Sequence, residues 1–166
     1  MEMPNIDQAM ASQRTGCFSR LCIRLPRFCG TAGAVIQRMA KAEARHLERF
    51  EKLMVERRVR PTLLSPLWHL AGYALGATTA LLGPEAAMAC TVAVEEVIDE
   101  HYRAQAETLG ADEGALRDTI EEFRGEEVEH RDTALANAAR EAPAYRPLTE
   151  AIKAGSRLAI WLSTRF

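Results

Sequence analysis

The sequence predicts an all-α bundle of long helices. Three observations carry that expectation. Apolar residues make up 48% of the 166 positions, with only ten glycines and seven prolines, which favours long helices over the frequent turns of an all-β chain. From about Thr31, apolar residues recur at alternating steps of three and four, the spacing of one helix face. The four-residue pattern Glu-x-x-His occurs twice, as Glu43-Ala44-Arg45-His46 and Glu127-Val128-Glu129-His130, each time inside such a stripe.

Taken in order, residues 1–30 are punctuated by Pro4, Pro26 and Gly30 and keep no sustained period, so they read as an atypical, poorly ordered N-terminal arm. Residues 31–166 read as one domain, a length that buries a core without staples. The first helix places Ile36, Met39, Glu43, His46, Phe50 and Leu53 on one stripe and should end before Pro61. Pro61 to Pro84 carries no formally charged side chain. A spanning helix needs about twenty predominantly apolar residues, and Pro66, His69 and the threonines make this a poor one. It reads first as a buried helix, with Gly72, Gly76 and Ala80 allowing close backbone approach. The alternatives are a lining for a lipid-like ligand or a dip into the membrane interface.

A third helix should run from Pro84 to about Leu109, and a fourth from an N-cap at Asp112 to Glu141, stopping before Pro143. The last, after Pro147, mixes Leu148, Ile152, Leu158, Ile160, Trp161 and Leu162 with Lys153, Arg157 and Arg165. Such a basic amphipathic helix either lies on an anionic membrane or docks against the bundle.

The charge is uneven. Gln8 to Ala42 has six basic residues and no acid, whereas Glu95 to Asp132 holds fourteen acids, mostly a solvated face with a few candidates for buried cation ligands. A net charge of −2 and a pI near 6.1 give no electrostatic reason to expect nucleic acid as a partner. Cys17, Cys22, Cys29 and Cys90 lack the spacing of zinc or redox motifs and read as reduced thiols. The Arg-rich start imitates an organellar transit peptide, although Glu2 and Asp7 argue against one.

Glu43 and His46 lie among Ile36, Met39, Phe50 and Leu53, and Glu127 and His130 among Ile120, Phe123 and Ala134, so both pairs should point inward. Carboxylates do not enter a core uncompensated, and repeated burial calls for a cation between them. Glu95 shares a face with Met88, Val92, Ile98 and Tyr102, whereas Glu96 falls with Ala89, Ala93, Glu100 and Arg103; Glu95 is therefore the candidate and Glu96 a solvated residue. The same test turns Glu127 inward rather than Glu126.

Single glutamates from two helices and Glu-x-x-His from two others form the ligand scheme of ferritin-like carboxylate bundles. The fold expected is thus ferritin-like, with an additional hydrophobic helix and a basic amphipathic C-terminal helix. Oxygen and imidazole donors without thiolates suit iron or manganese, and two iron ions are the assignment, with Glu43, His46, Glu95, Glu127 and His130 as metal ligands. Asp99 and His101 either orient those ligands or stay at the surface. Glu95 precedes Glu127 by 32 residues, so a matching first half would place a glutamate near Ala11, and none is there.

From about Val35 onward the chain resembles the demethoxyubiquinone hydroxylases, membrane-associated di-iron monooxygenases of ubiquinone biosynthesis. The runs that carry this are Arg58-Val59-Arg60-Pro61-Thr62, Ala77-Thr78-Thr79-Ala80-Leu81-Leu82-Gly83, Ala87 to Glu96, Ala142-Pro143-Ala144-Tyr145 and Ala159-Ile160-Trp161-Leu162-Ser163. The resemblance implies that reduced di-iron activates dioxygen and inserts one oxygen atom into the ring of a polyprenylated demethoxyubiquinol. It also implies peripheral association with the cytoplasmic face of the cell membrane, or with the mitochondrial inner membrane in a eukaryote, and an accessory lipid-binding protein as partner. The family carries Asp-His-Ala-Gly-Glu in its first helix, and this chain lacks it, as an altered reading frame or a misplaced start would produce. Without that glutamate the alternative is a catalytically impaired quinone-binding or scaffolding subunit. Iron oxidation or storage fits the ligands but leaves the uncharged stretch unexplained.

Overall fold

The computed structural model describes residues 31–165, and among these all regular structure is helical. The arm expected over residues 1–30 lies outside the described residues. Five α-helices follow in order: α1 Thr31–Arg57, α2 Ser65–Leu82, α3 Pro84–Thr108, α4 Gly114–Ala136 and α5 Tyr145–Ser163.

The stripe expected of α1 is its buried face, with Val35, Ile36, His46, Phe50, Leu53 and Met54 all inside. The helix ends at Arg57, four residues before Pro61. Arg58 turns left-handed at φ 54° while the Val59 amide bonds the Met54 carbonyl at 2.9 Å and the Arg58 amide that of Val55 at 3.2 Å. This is a Schellman closure with arginine where glycine is usual.

α3 is the central helix. It is buried on several sides, from Ala86 through Cys90 to Ala106, and α2, α4 and α5 all pack on it. Its small residues let neighbours approach: Ala86 and Ala89 meet Ala142, and Ala93 meets Ile152. Gly83 joins α2 directly to α3 at φ 127°, a conformation in which a side chain would be strained, and Pro84 opens the next helix with its fixed φ.

Two expectations need correction. The segment from Pro61 to Pro84 is not a buried helix: α2 buries only Gly76, Thr79 and Ala80, with Leu75 half-buried against Ile152 and Trp68 donating to Ser163 at 2.8 Å, and leaves Leu67, Leu70, Tyr73 and Leu81 exposed. Small residues on one edge allow close contact there, and an apolar outer face is left facing away from the bundle. No described helix is long and apolar enough to cross a membrane. The fourth helix is also shorter than expected. Asn137 closes it by bonding the Thr133 carbonyl through its side chain at 2.8 Å, Ala138 turns left-handed, and a 3-10 turn over Ala139–Glu141 tucks Ala139 and Ala142 against α3. At the other end Asp112 caps nothing; a 3-10 turn over Ala111–Glu113 precedes the helix, and Glu113 pairs with Arg57 at 2.5 and 2.8 Å.

α5 begins at Tyr145, with Pro147 tolerated in its first turn. It docks through Ile152 and through two ion pairs to α3, Lys153 with Glu96 at 2.5 Å and Arg157 with Glu100 at 3.0 Å. Leu158 and Trp161 stay exposed, and Arg165 stacks over the Trp161 ring at 4.0 Å.

The end of α3 depends on one side chain. Arg117 donates to the carbonyls of Ala106 at 3.2 Å, Leu109 at 2.5 Å and Gly110 at 3.2 Å. Arg117→Ala is expected to lower unfolding stability by about 1 kcal/mol, since partly solvated carbonyls regain water when their donor is lost. A urea midpoint unchanged from the wild type would show that the cap is idle.

Candidate metal centre

α1 supplies Glu43 and His46, α3 supplies Glu95, and α4 supplies Glu127 and His130, each held on a helix whose neighbouring turns are core. His46 and Glu127 have no exposed surface, Glu95 is 7% exposed, and the side chains of Glu43 and His130 are 12% exposed. One donor atom from each of Glu43, Glu95, Glu127 and His130 lies within 4.8 Å of the others. His130 Nδ1 sits 3.3 Å from Glu127 Oε2 and 3.6 Å from Glu43 Oε1.

His46 stands beside that group of four. Its Nδ1 is 3.1 Å from Glu127 Oε1, its Nε2 is 2.8 Å from Glu126 Oε2, and its ring stacks on Phe123 with centroids 4.0 Å apart. Phe50 packs between Phe123 and Tyr102, which closes this end of the site to water.

The electrostatics follow from three carboxyls sharing a dry space. Burial and the nearby Glu127 push the Glu43 carboxyl up to about 7, and burial with Glu127 and Glu43 pushes Glu95 well above the usual range. Burial works to raise Glu127 too, but hydrogen bonds with His130, His46 and Glu95 overcome it and hold this carboxyl at about 2. Burial works to lower His130, and Glu127 and Glu43 prevail, raising it to about 9; His46 is raised on the same balance. Glu43 Oε2 and Glu95 Oε2 are buried without a hydrogen-bond partner. A divalent cation satisfies orphaned carboxylate oxygens, and a donor set of carboxylates and imidazole fits iron or manganese.

Metal entry must displace the protons that this cluster holds at neutral pH, on His130 and in part on Glu43. Binding is therefore expected to release protons near pH 7, and affinity to fall as pH drops. Titration in weakly buffered solution with an indicator dye measures the release; metal uptake without it would contradict this charge assignment.

The neighbouring residues divide. Glu96 is half-buried and ion-paired with Lys153 rather than free in solvent. Asp99 is committed to Arg124 at 2.6 Å. His101 is largely buried beside Tyr102, its Nε2 has no hydrogen-bond partner, and burial lowers its pKa to about 4. Glu126, expected to face outward, turns back onto His46 and also bonds Arg45. Helical periodicity assigns a whole residue to one face, whereas the Glu126 side chain, a quarter exposed, reaches a buried ring across the α1–α4 pair. The gap expected near Ala11 lies outside the described residues.

Alongside runs an apolar groove of about 450 Å³ between α2, α3 and α5. Trp68, Gly72 and Leu75 form one wall, Ile152 and Gly155 another, and Val94 and Ile98, which flank Glu95 in α3, the floor. The groove thus shares a helix with a candidate ligand.

Residues 27–163 match the family model described as ubiquinone biosynthesis protein COQ7. The chain is similar to the 3-demethoxyubiquinol 3-hydroxylase of Rhodospirillum rubrum, 60% identical over 131 residues that cover 79% of this chain and 62% of that protein. It is 52% identical over 139 residues to the human mitochondrial NADPH-dependent 3-demethoxyubiquinone 3-hydroxylase, covering 81% and 64%. It is 42% identical over 146 residues to the mitochondrial 5-demethoxyubiquinone hydroxylase of Saccharomyces cerevisiae, covering 79% and 63%. The chain therefore spans a little under two thirds of the length of these relatives.

Proposed function

The chain belongs to the ubiquinone biosynthesis protein COQ7 family, and from that premise we propose that it is an oxygen-dependent monooxygenase that hydroxylates the ring of a polyprenylated demethoxyubiquinol. The observation that carries the reading is the convergence of Glu43, Glu95, Glu127 and His130 on one buried point beside an apolar groove. In this proposal residues 31–166 form the ferritin-like catalytic domain, with residues 1–30 as an atypical arm. Glu43, His46, Glu95, Glu127 and His130 hold two iron ions.

Bound iron would supply the electrons that activate dioxygen. The protein's own part is binding and orientation. The groove takes the isoprenoid tail against Trp68, Leu75 and Ile152 and brings the ring toward Glu95, while Phe50, Tyr102 and Phe123 keep water from the buried carboxylates. The tail must come from a membrane. Leu63, Leu67, Leu70 and Leu81 on and before α2, with Leu158, Trp161 and Arg165 at the end of α5, suit a peripheral seat on an anionic interface. That seat is the cytoplasmic face of the cell membrane, or the mitochondrial inner membrane if the source is eukaryotic, and an accessory lipid-binding protein could deliver substrate there.

The test is turnover: iron-loaded, reduced protein is mixed with a demethoxyubiquinol and isotopically labelled dioxygen. One labelled oxygen in the quinol ring supports the proposal. Quinol binding without product would move the assignment to a non-catalytic subunit of the same pathway.

A further inference from the structure

Both nitrogens of the buried His46 ring are met by carboxylates from adjacent residues of α4. Nδ1 faces Glu127 at 3.1 Å, and Nε2 faces Glu126 at 2.8 Å. The ring itself is pinned by stacking on Phe123. If His46 binds metal, the bonding nitrogen carries a lone pair, so the ring's single proton sits on the other nitrogen and needs an acceptor there. In a ring with no exposed surface, water cannot serve, and an unpaired N–H would carry its full desolvation cost.

We propose that Glu126 is a positioning residue for the metal centre: it accepts the His46 Nε2–H, keeps Nδ1 as the donor aimed at the cluster, and is itself held by Arg45. The assignment rests on the metal reading above and names a residue outside its ligand set. The surface alternative is an ordinary Arg45–Glu126 ion pair that grazes His46. Geometry separates the two. Arg45 is more than half exposed, as such pairs usually are, but Glu126 has only a quarter of its side chain exposed and turns Oε2 toward a ring that solvent does not reach. The pairing is also reciprocal between neighbours in sequence. Arg45 and His46 on α1 clasp Glu126 and Glu127 on α4, so one contact sets both the register of the two helices and the orientation of the imidazole.

The test is anaerobic titration of the metal-free full-length chain with ferrous iron against a competing chelator, repeated with cobalt for its visible spectrum. Glu126→Ala is expected to weaken affinity about 10- to 100-fold and to change the cobalt spectrum. Glu126→Gln keeps an acceptor oxygen toward Nε2 and should bind within about threefold of wild type, a rescue that general loosening of the fold would not give. Arg45→Ala, at an exposed position that endangers folding little, should weaken binding about threefold through loss of the brace. Wild-type affinity in Glu126→Ala, or an equal loss in Glu126→Gln, overturns the positioning role while leaving the metal reading intact. Should Glu126→Ala not fold, wild-type affinity in Arg45→Ala overturns it. Wild-type protein that takes up no metal overturns both.

Discussion

Replacing Glu127 with alanine is expected to strip the chain of its metal, from about two iron ions to fewer than one, and to end product formation. Glu127 is the carboxylate on which the site turns, because it touches His46, His130 and Glu95 from a position with no exposed surface. The loss should also show without metal, at about 3 kcal/mol, since removing one partner strands the charges it compensates. Its pH dependence has a definite sign. Glu127, held at about 2, contributes stability above its ordinary 4.5 that is lost as pH falls through 2. His130, raised to about 9, contributes below its ordinary 6.5, and that is lost as pH rises through 9. Glu43, raised to about 7, works the other way, its cost growing between 4.5 and 7. Metal-free wild type should therefore be most stable between these limits, and the alanine variant should lose the acid flank and, with Glu43 still beside His130, part of the alkaline one. Urea unfolding across pH reads this out, and superimposable profiles would refute it.

Gly155→Phe is expected to reduce kcat/KM for a long-tailed quinol by about tenfold or more while iron content stays at the wild-type level. A Cβ at Gly155 meets nothing within 4 Å, and the residue lines the groove, so the ring can enter that space without moving the backbone. Each buried methylene of a tail is worth about 0.8 kcal/mol, so displacing even part of one isoprene unit accounts for a tenfold effect. Helix propensity favours the substitution, which separates blocked binding from unfolding. A quinol with a shortened tail should suffer less. Equal loss for both substrates would place the tail elsewhere.

Much of this arrangement is legible in the amino-acid sequence. The alternation of threes and fours in α1 is its buried face, and Glu95 shares its face with Met88, Val92, Ile98 and Tyr102, which pack with α1 and α4, whereas the equally buried Ala89 and Ala93 on the Glu96 face pack against Ala142 and Ile152. Periodicity reports a face, and a face is what separates Glu95 from Glu96. It says nothing of what lies opposite. The uncharged stretch of α2 read as core because greasiness alone cannot distinguish a helix enclosed by protein from one docked by Gly76, Thr79 and Ala80 with leucines facing out. The early stop of α4 depends on Asn137 and on the fit of Ala139 and Ala142 beneath α3, a tertiary reward invisible along the chain. Glu126 was missed for the same reason: its role lies in what His46 needs from across a helix pair.

The central claim is that buried carboxylates and imidazoles from three helices converge to hold iron. Iron quantification with Mössbauer spectroscopy on the anaerobically loaded full chain tests it most directly. About two ions per chain, magnetically coupled as two neighbouring irons would be, is the expected result. A well-folded chain that emerges from loading without stoichiometric iron, or with iron bound equally well after Glu43, Glu95 and Glu127 are all replaced, would contradict it.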